Sequence, residues 1–329
     1  MGRMEQGKLP SELLRKLVFK NIKGRNPHVI LRPEIGEDCA AIEFEDYACI
    51  LSTDPITGAD KGVGTLAVHI SCNDIASCGV KPIGIMITLL VPVDGTEEDI
   101  HRVMKEAGEA ASELGVEIIG GHTEITTAVN KMVISTTAIG KVKKDKIITT
   151  RGAMLGDDVV MTKWAGLEGT SIIASDQEKE LYSILDKEEI QEAKSFVKYI
   201  SVVPEGVLAG EFGVNSMHDV TEGGVLGAAW EVAEISGTGI EIYIDNIPIK
   251  EVTQKICNHY KISPYRLISS GSMIMSCKDG NKLVELLGQN GIKAAMIGKV
   301  TEKEKLIVNA DGTSRILEPP GADELFKIV

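Results

Sequence analysis

The most apolar run in the chain, residues 83–93, has the length of a strand and leads directly into the start of an amphipathic helix. Thr96-Glu97-Glu98-Asp99 has the form of a capping box, with Asp99 in place of the usual Glu. Behind it Ile100, Val103, Ala107, Ala110 and Leu114 step by three or four, the period of one helix face. Gly115 is a natural stop, because glycine adopts the left-handed cap conformation without steric cost. Strand and helix signals intermix in this way along the whole chain, so an α/β or α+β protein is expected. No run reaches the roughly 18 uninterrupted apolar residues of a membrane span, and no membrane partner is expected.

The 329 residues are about twice a usual domain length, so two domains are expected, over residues 1–150 and 151–329. In the first, residues 11–23 read as a short amphipathic helix and 47–53 as a buried strand that stops at Asp54-Pro55, since proline cannot continue a ladder. A helix over 64–78 and strands over 83–91, 116–119 and 132–139 complete the unit. Residues 152–157 read as the loop between domains. The second unit is expected to hold strands over 158–162, 240–244, 296–300 and 306–309, helices over 225–235 and 283–287, and a charged surface helix pair over 177–200. The AIGKV of residues 138–142 is echoed by MIGKV at 296–300, which reads as two similar strand ends.

A net charge of −13 opposes a nucleic-acid partner, because neutralising phosphates requires clustered Lys and Arg. The basic run from Lys141 to Lys146 reads as a solvated turn. Cys39, Cys49, Cys72, Cys78, Cys257 and Cys277 form no CxxC pair and no zinc spacing. With no secretory signal at the N-terminus, the expectation is thiols in a reducing cytoplasm.

The informative chemistry is a series of carboxylates at element ends: Asp38, Asp54 and, inside an apolar helix, the Asn73-Asp74 pair. Singly, an Asx turn, a turn before proline and a helix hydrogen bond account for the three aspartates. Converging, they would repel one another without a cation, and Mg²⁺ with a nucleotide phosphate chain suits such a set. Gly120-Gly121-His122-Thr123 reads as a turn after a buried strand whose N–H groups can cradle an anion. In the second half His218, Asp219, Thr221 and Glu222 precede Gly223-Gly224 and a helix N-terminus, a ready anion site. Neither a GxxxxGK[ST] loop nor a GxGxxG fingerprint is present, which disfavours the common nucleotide folds.

In this order the motifs resemble the superfamily of aminoimidazole ribonucleotide (AIR) synthase, selenophosphate synthetase, thiamine-monophosphate kinase and hydrogenase maturation factor HypE. The GEDCAAI of residues 36–42 is similar to the family's GDDAA element, and Ser52-Thr53-Asp54 to its strand-ending TD. Residues 67–82, with Asn73-Asp74 followed by Gly79 and Pro82, resemble the family's helix; Gly120-Gly121-His122-Thr123 resembles its GGxT element. The HDVTEGGV of residues 218–225 is closest to HypE-like proteins. The resemblance implies two α/β domains, with the N-terminal strands of two subunits building a shared β-barrel in a homodimer. It implies ATP and Mg²⁺ as cofactors, Asp38, Asp54 and Asp74 as metal and phosphate ligands, and Asn73, Gly120, Gly121, Thr123, Asp219 and Thr221 in the nucleotide cleft.

Two departures from the family stand out. HypE proteins end in a cysteine that carries the group to be dehydrated, whereas no cysteine follows Cys277 here; His122 stands where several relatives have an acid or amide. The expected function is ATP- and Mg²⁺-dependent phosphotransfer of the HypE-like type to an oxygen of a small molecule or carboxamide, with His122 and His218 as candidate general bases. Two alternatives are a nucleotide-binding scaffold acting with a maturation-protein partner and a small-molecule kinase like thiamine-monophosphate kinase.

Overall fold

The computed structural model describes residue 7 and residues 9–56 and 62–328. The first half folds into a six-stranded sheet of β1 (Val29–Leu31), β2 (Ala40–Phe44), β3 (Tyr47–Ile56), β4 (Pro82–Val91), β5 (Glu117–Ile125) and β6 (Val133–Lys143), in the order β1-β2-β3-β6-β4-β5. Three helices accompany it, α1 (Ser11–Leu17), α2 (Val63–Ser77) and α3 (Glu97–Leu114). Only β4 and β5 run parallel, as the crossover through α3 requires. The capping box forms as expected, with Thr96 and Asp99 exchanging side-chain and backbone bonds, and Gly115 ends α3 at φ 65°. In β4 the alternation buries Ile85, Ile87, Leu89 and Val91 in the core shared with α2 and α3. Ile83 and Met86 point outward to solvent.

The second half contributes β7 (Asp158–Thr162), β8 (Ser216–Val220), β9 (Gly239–Tyr243), β10 (Ser272–Cys277), β11 (Ala294–Thr301), β12 (Lys305–Val308) and β13 (Ser314–Ile316), in the order β13-β12-β9-β11-β7-β10-β8. Around it lie α4 (Leu167–Asp176), α5 (Glu178–Leu181), α6 (Lys187–Lys194), α7 (Val203–Phe212), α8 (Gly224–Ser236), α9 (Glu251–Tyr260) and α10 (Gly280–Gln289).

Helix α2 joins the halves. From Leu66 to Ser77 every residue but Ile70 is buried, as befits a helix covered all round. On one side Ser71 bonds Thr136 of β6. On the other α7 comes so close that a Cβ at Gly206 would meet the Ala76 carbonyl at 2.4 Å. One apolar cluster therefore runs from the first sheet through α2 to Met217, Met273 and Met275 of the second.

Several sequence expectations are corrected. The strand expected to stop at Asp54-Pro55 continues to Ile56, with Pro55 opposite Ser135. Because β2 pairs only as far as Leu51, proline sits where one side of β3 carries no ladder. Gly120-Gly121 is not a turn but part of β5. The first helix ends at Leu17, followed by a short 3-10 turn over Phe19–Asn21. The helix pair over 177–200 is α5, α6 and a 3-10 turn, with Leu181, Ile190 and Phe196 buried rather than at the surface. Strands β8 and β10 were not anticipated. Both are buried on both faces and lack the alternation that marks a half-exposed strand.

Candidate functional site

A cleft of about 320 Å³ opens between the halves. Its first-domain wall carries Glu37, Asp38, Asp54 and Asp74; its second-domain wall carries Glu168, Thr221, Glu222, Ser270 and Asp323.

Asp74 lies in the last turn of α2, 5% exposed, where it accepts a hydrogen bond from the Ser52 hydroxyl of β3. Burial pushes its pKa well above the usual carboxylate range, and the nearby charges of Asp219, Asp54 and Asp38 push the same way. Asp219, on the buried strand β8, is 1% exposed. Ligand atoms of Asp38, His218 and Asp219 all lie within 4.8 Å of one another. Glu37 beside them is pushed up to about 8, mainly by burial and then by Asp38.

His218 is 2% exposed and bonded at both ends, Nδ1 to Asp38 Oδ2 at 2.7 Å and Nε2 to Glu231 Oε2 at 2.9 Å. Burial alone would lower its pKa, but Asp38 and Glu231 hold it well above the ordinary value. With both nitrogens donating, the ring is an imidazolium and has no lone pair free to take a proton. That geometry does not suit the general base expected at His218.

The expected residues divide into those that meet and those that do not. Asp38, Asp54, Asp74, Asp219, His218 and Thr221 gather in or beside the cleft. Asn73 does not line it. Its Nδ2 donates to the Ile200 carbonyl and its Oδ1 accepts from the Val202 N–H, both at 2.8 Å, so its amide fastens α2 to the second domain. Gly120, Gly121, His122 and Thr123 lie exposed on β5, an edge strand, outside the cleft lining. His122 Nε2 sits 3.2 Å from Glu124 Oε2 in solvent.

The donor set fits a hard divalent cation. Carboxylate oxygens are what Mg²⁺ takes, and Asp219, Asp54 and Asp38 lie close enough to Asp74 to add to the upward push of its burial.

Sequence reasoning did not single out Glu231, Glu168, Ser270 or Asp323. A usable signal existed for two of them: Glu231 and Glu168 stand among apolar and small residues in helices α8 and α4, and such groups are seldom buried without a purpose. Asp323 caps its own 3-10 turn at the Leu325 N–H and also accepts from the N–H groups of Gly223 and Ile268, two segments that no local pattern connects to it.

Fold and site together define a two-domain α/β protein with an acidic cleft between its domains. Residues 36–142 match the AIR synthase related protein N-terminal domain and residues 155–311 the AIR synthase related protein C-terminal domain, and the chain belongs to this family. It is 29% identical to a putative hydrogenase expression/formation protein of Methanocaldococcus jannaschii, covering 98% of this chain and 97% of that one. With the carbamoyl dehydratase HypE of Rhizobium leguminosarum the identity is 24%, over 89% and 86% of the two chains. Among solved structures it resembles the crystal structure of a HypE-HypF complex (TM-score 0.77, 23% identity, 94% and 99% covered). It also resembles a HypE in complex with ATP (TM-score 0.72, 22% identity, 97% of both).

Proposed function

We propose that this chain is an ATP- and Mg²⁺-dependent phosphotransfer enzyme of the HypE-like type, activating an oxygen of a small molecule or carboxamide. The observation that carries the reading is the convergence of Asp38, Asp54, Asp74 and Asp219 at one cleft, where burial first and then the neighbouring carboxylates push the Asp74 carboxyl up. Its full-length likeness to hydrogenase expression proteins and to an ATP-bound HypE supports the nucleotide.

On this reading Asp38, Asp54, Asp74 and Asp219 hold Mg²⁺, which when bound neutralises the polyphosphate for in-line transfer. Thr221, which lines the cleft ahead of the α8 N-terminus, would bind phosphate oxygen. His218 acts as a positioning residue that fixes the Asp38 carboxylate. Asn73 docks the domains.

A homodimer belongs to the same proposal. The outward face of the first sheet exposes Ile83 (56%), Met86 (40%) and Ile119 (51%) on the adjacent strands β4 and β5. A second copy against that face would cover it, and Gly120, Gly121, His122 and Thr123 would then meet a nucleotide through the dimer rather than within one chain. Six free cysteines, five of them buried, suit a cytoplasmic protein.

Calorimetry of ATP binding with and without Mg²⁺ tests the reading. Micromolar binding that requires Mg²⁺ and is lost in Asp54→Asn is expected; no binding at millimolar ATP overturns it. A stable partner and no intrinsic ATP hydrolysis would favour the second reading, a maturation subunit, which the likeness to HypE in its complex with HypF supports. A phosphorylated product that persists would mark a small-molecule kinase.

A further inference from the structure

Beside the cleft lies a smaller chamber of about 180 Å³. It shares Leu66, Glu168 and Ile172 with the cleft, so the two spaces are continuous. Both halves of the chain build it. Gly62, which caps α2, and Leu66 form one side; α4 and the 3-10 turn over Ser195–Tyr199 form the other. Joints of this kind between domains are where small ligands preferentially settle.

The lining narrows what fits. Leu66, Ile172, Val197 and Ile200 are its apolar walls, and of these Leu66 is 6% and Ile200 1% exposed. The polar groups beside them are committed to the chain itself. Ser171 Oγ donates to the Lys194 carbonyl at 3.1 Å, and Ser175 Oγ donates to the Ser171 carbonyl at 2.8 Å. Lys194 Nζ lies 2.7 Å from Glu178 Oε2, so its charge is already met. Asp176, at the exposed rim, has an interaction of its own. Glu168, at the neck, is a hydrogen-bond neighbour of Ser270. A charged group drawn into this space would lose its water for partners that are already engaged, which is costly. An apolar group gains by the same transfer. The size suits a single ring, since an engineered apolar cavity of roughly 150 Å³ takes up benzene.

We propose that this chamber is the specificity pocket of the cleft and holds an uncharged apolar group, a six-membered ring or a branched aliphatic end, borne by the molecule whose reacting end faces the carboxylates. The assignment rests on the reading of the cleft as the site of phosphotransfer. A molecule seated this way touches both halves of the chain. It packs against Ile200, whose carbonyl also accepts from Asn73 of α2.

Three fluorinated probes of similar shape test it, titrated into the full chain and followed by fluorine NMR: 4-fluorotoluene, the anion 4-fluorobenzoate and the cation of 4-fluorobenzylamine. The neutral probe is expected to bind at least tenfold more tightly than either ion. Val197 lines the chamber but not the cleft, so substitutions there locate the probe. Val197→Phe fills the space and should weaken 4-fluorotoluene at least tenfold. Val197→Ala widens it and should improve binding of the bulkier 1-fluoronaphthalene at least fivefold over the native chain. No binding of 4-fluorotoluene, equal binding of either ion, or binding unmoved in a folded Val197→Phe protein would overturn the proposal. Should Val197→Phe fail to fold, Val197→Ala decides, and the absence of any gain for 1-fluoronaphthalene overturns it. Calorimetry of Mg²⁺ and ATP on the native sample keeps the two readings apart. Failure there with 4-fluorotoluene still bound removes the nucleotide assignment and leaves the pocket; the reverse result removes the pocket alone.

Discussion

Asp38 Oδ2 of the first domain lies 2.7 Å from Nδ1 of His218 in the second, and the ring between Asp38 and Glu231 is almost wholly buried. The domains are thus pinned by a charged bond at the edge of the cleft that they form.

His218 should therefore govern stability with a definite pH sign. Its folded-state pKa is raised above the ordinary 6.5. Its stabilising effect is complete below about 6.5 and is lost as pH rises through the folded value. Replacing it by Asn should cost about 3–5 kcal/mol near pH 6, because two partly buried carboxylates lose their counter-charge. Urea denaturation at pH 6 and pH 9 checks this, and the gap between native and variant protein should narrow at the higher pH.

Asp74 carries the opposite lesson. Its pKa too is raised in the fold, by burial first and then by Asp219, Asp54 and Asp38. Its effect on stability therefore falls as pH rises from its ordinary 3.8, and at neutral pH the site is a liability without a cation. Asp74→Asn should raise the melting temperature of the metal-free protein at pH 7. The same change should abolish the further rise that Mg²⁺ produces in the native chain, both read by thermal denaturation with and without MgCl₂.

Asn73 should matter for the joint between the domains. Asn73→Ala leaves the Ile200 carbonyl and the Val202 N–H without their bonds, and each such orphan costs about 1–3 kcal/mol. Hydrogen exchange should show faster opening around residues 200–202, while the exchange of β12 and β13 stays as it was.

The two adjacent glycines of β5 should respond differently. A Cβ at Gly121 would meet the Ile87 carbonyl oxygen at 1.9 Å, whereas one at Gly120 meets nothing within 4 Å. Gly121→Ala should cost at least about 3 kcal/mol, because neither strand backbone can give way. Gly120→Ala bears only the strain of its φ of 158°, about 1 kcal/mol. Chemical denaturation of the two variants side by side decides it.

Local interactions were legible in the sequence because they lie within a few residues of one another. The Thr96–Asp99 cap, the stop at Gly115 and the buried face of β4 follow from spacing and periodicity alone. Pairing across the fold was not legible. Whether β3 ends at Pro55 depends on how far β2 follows it, and whether Gly120-Gly121 turns or extends depends on the partner strand β4. The imidazolium of His218 was hidden for the same reason, since Asp38 stands 180 positions away. Periodicity tells which face of an element is apolar but not which other face it meets. The packing of α2 between the two domains made that choice, and with it determined which carboxylates converge and which amide docks the halves.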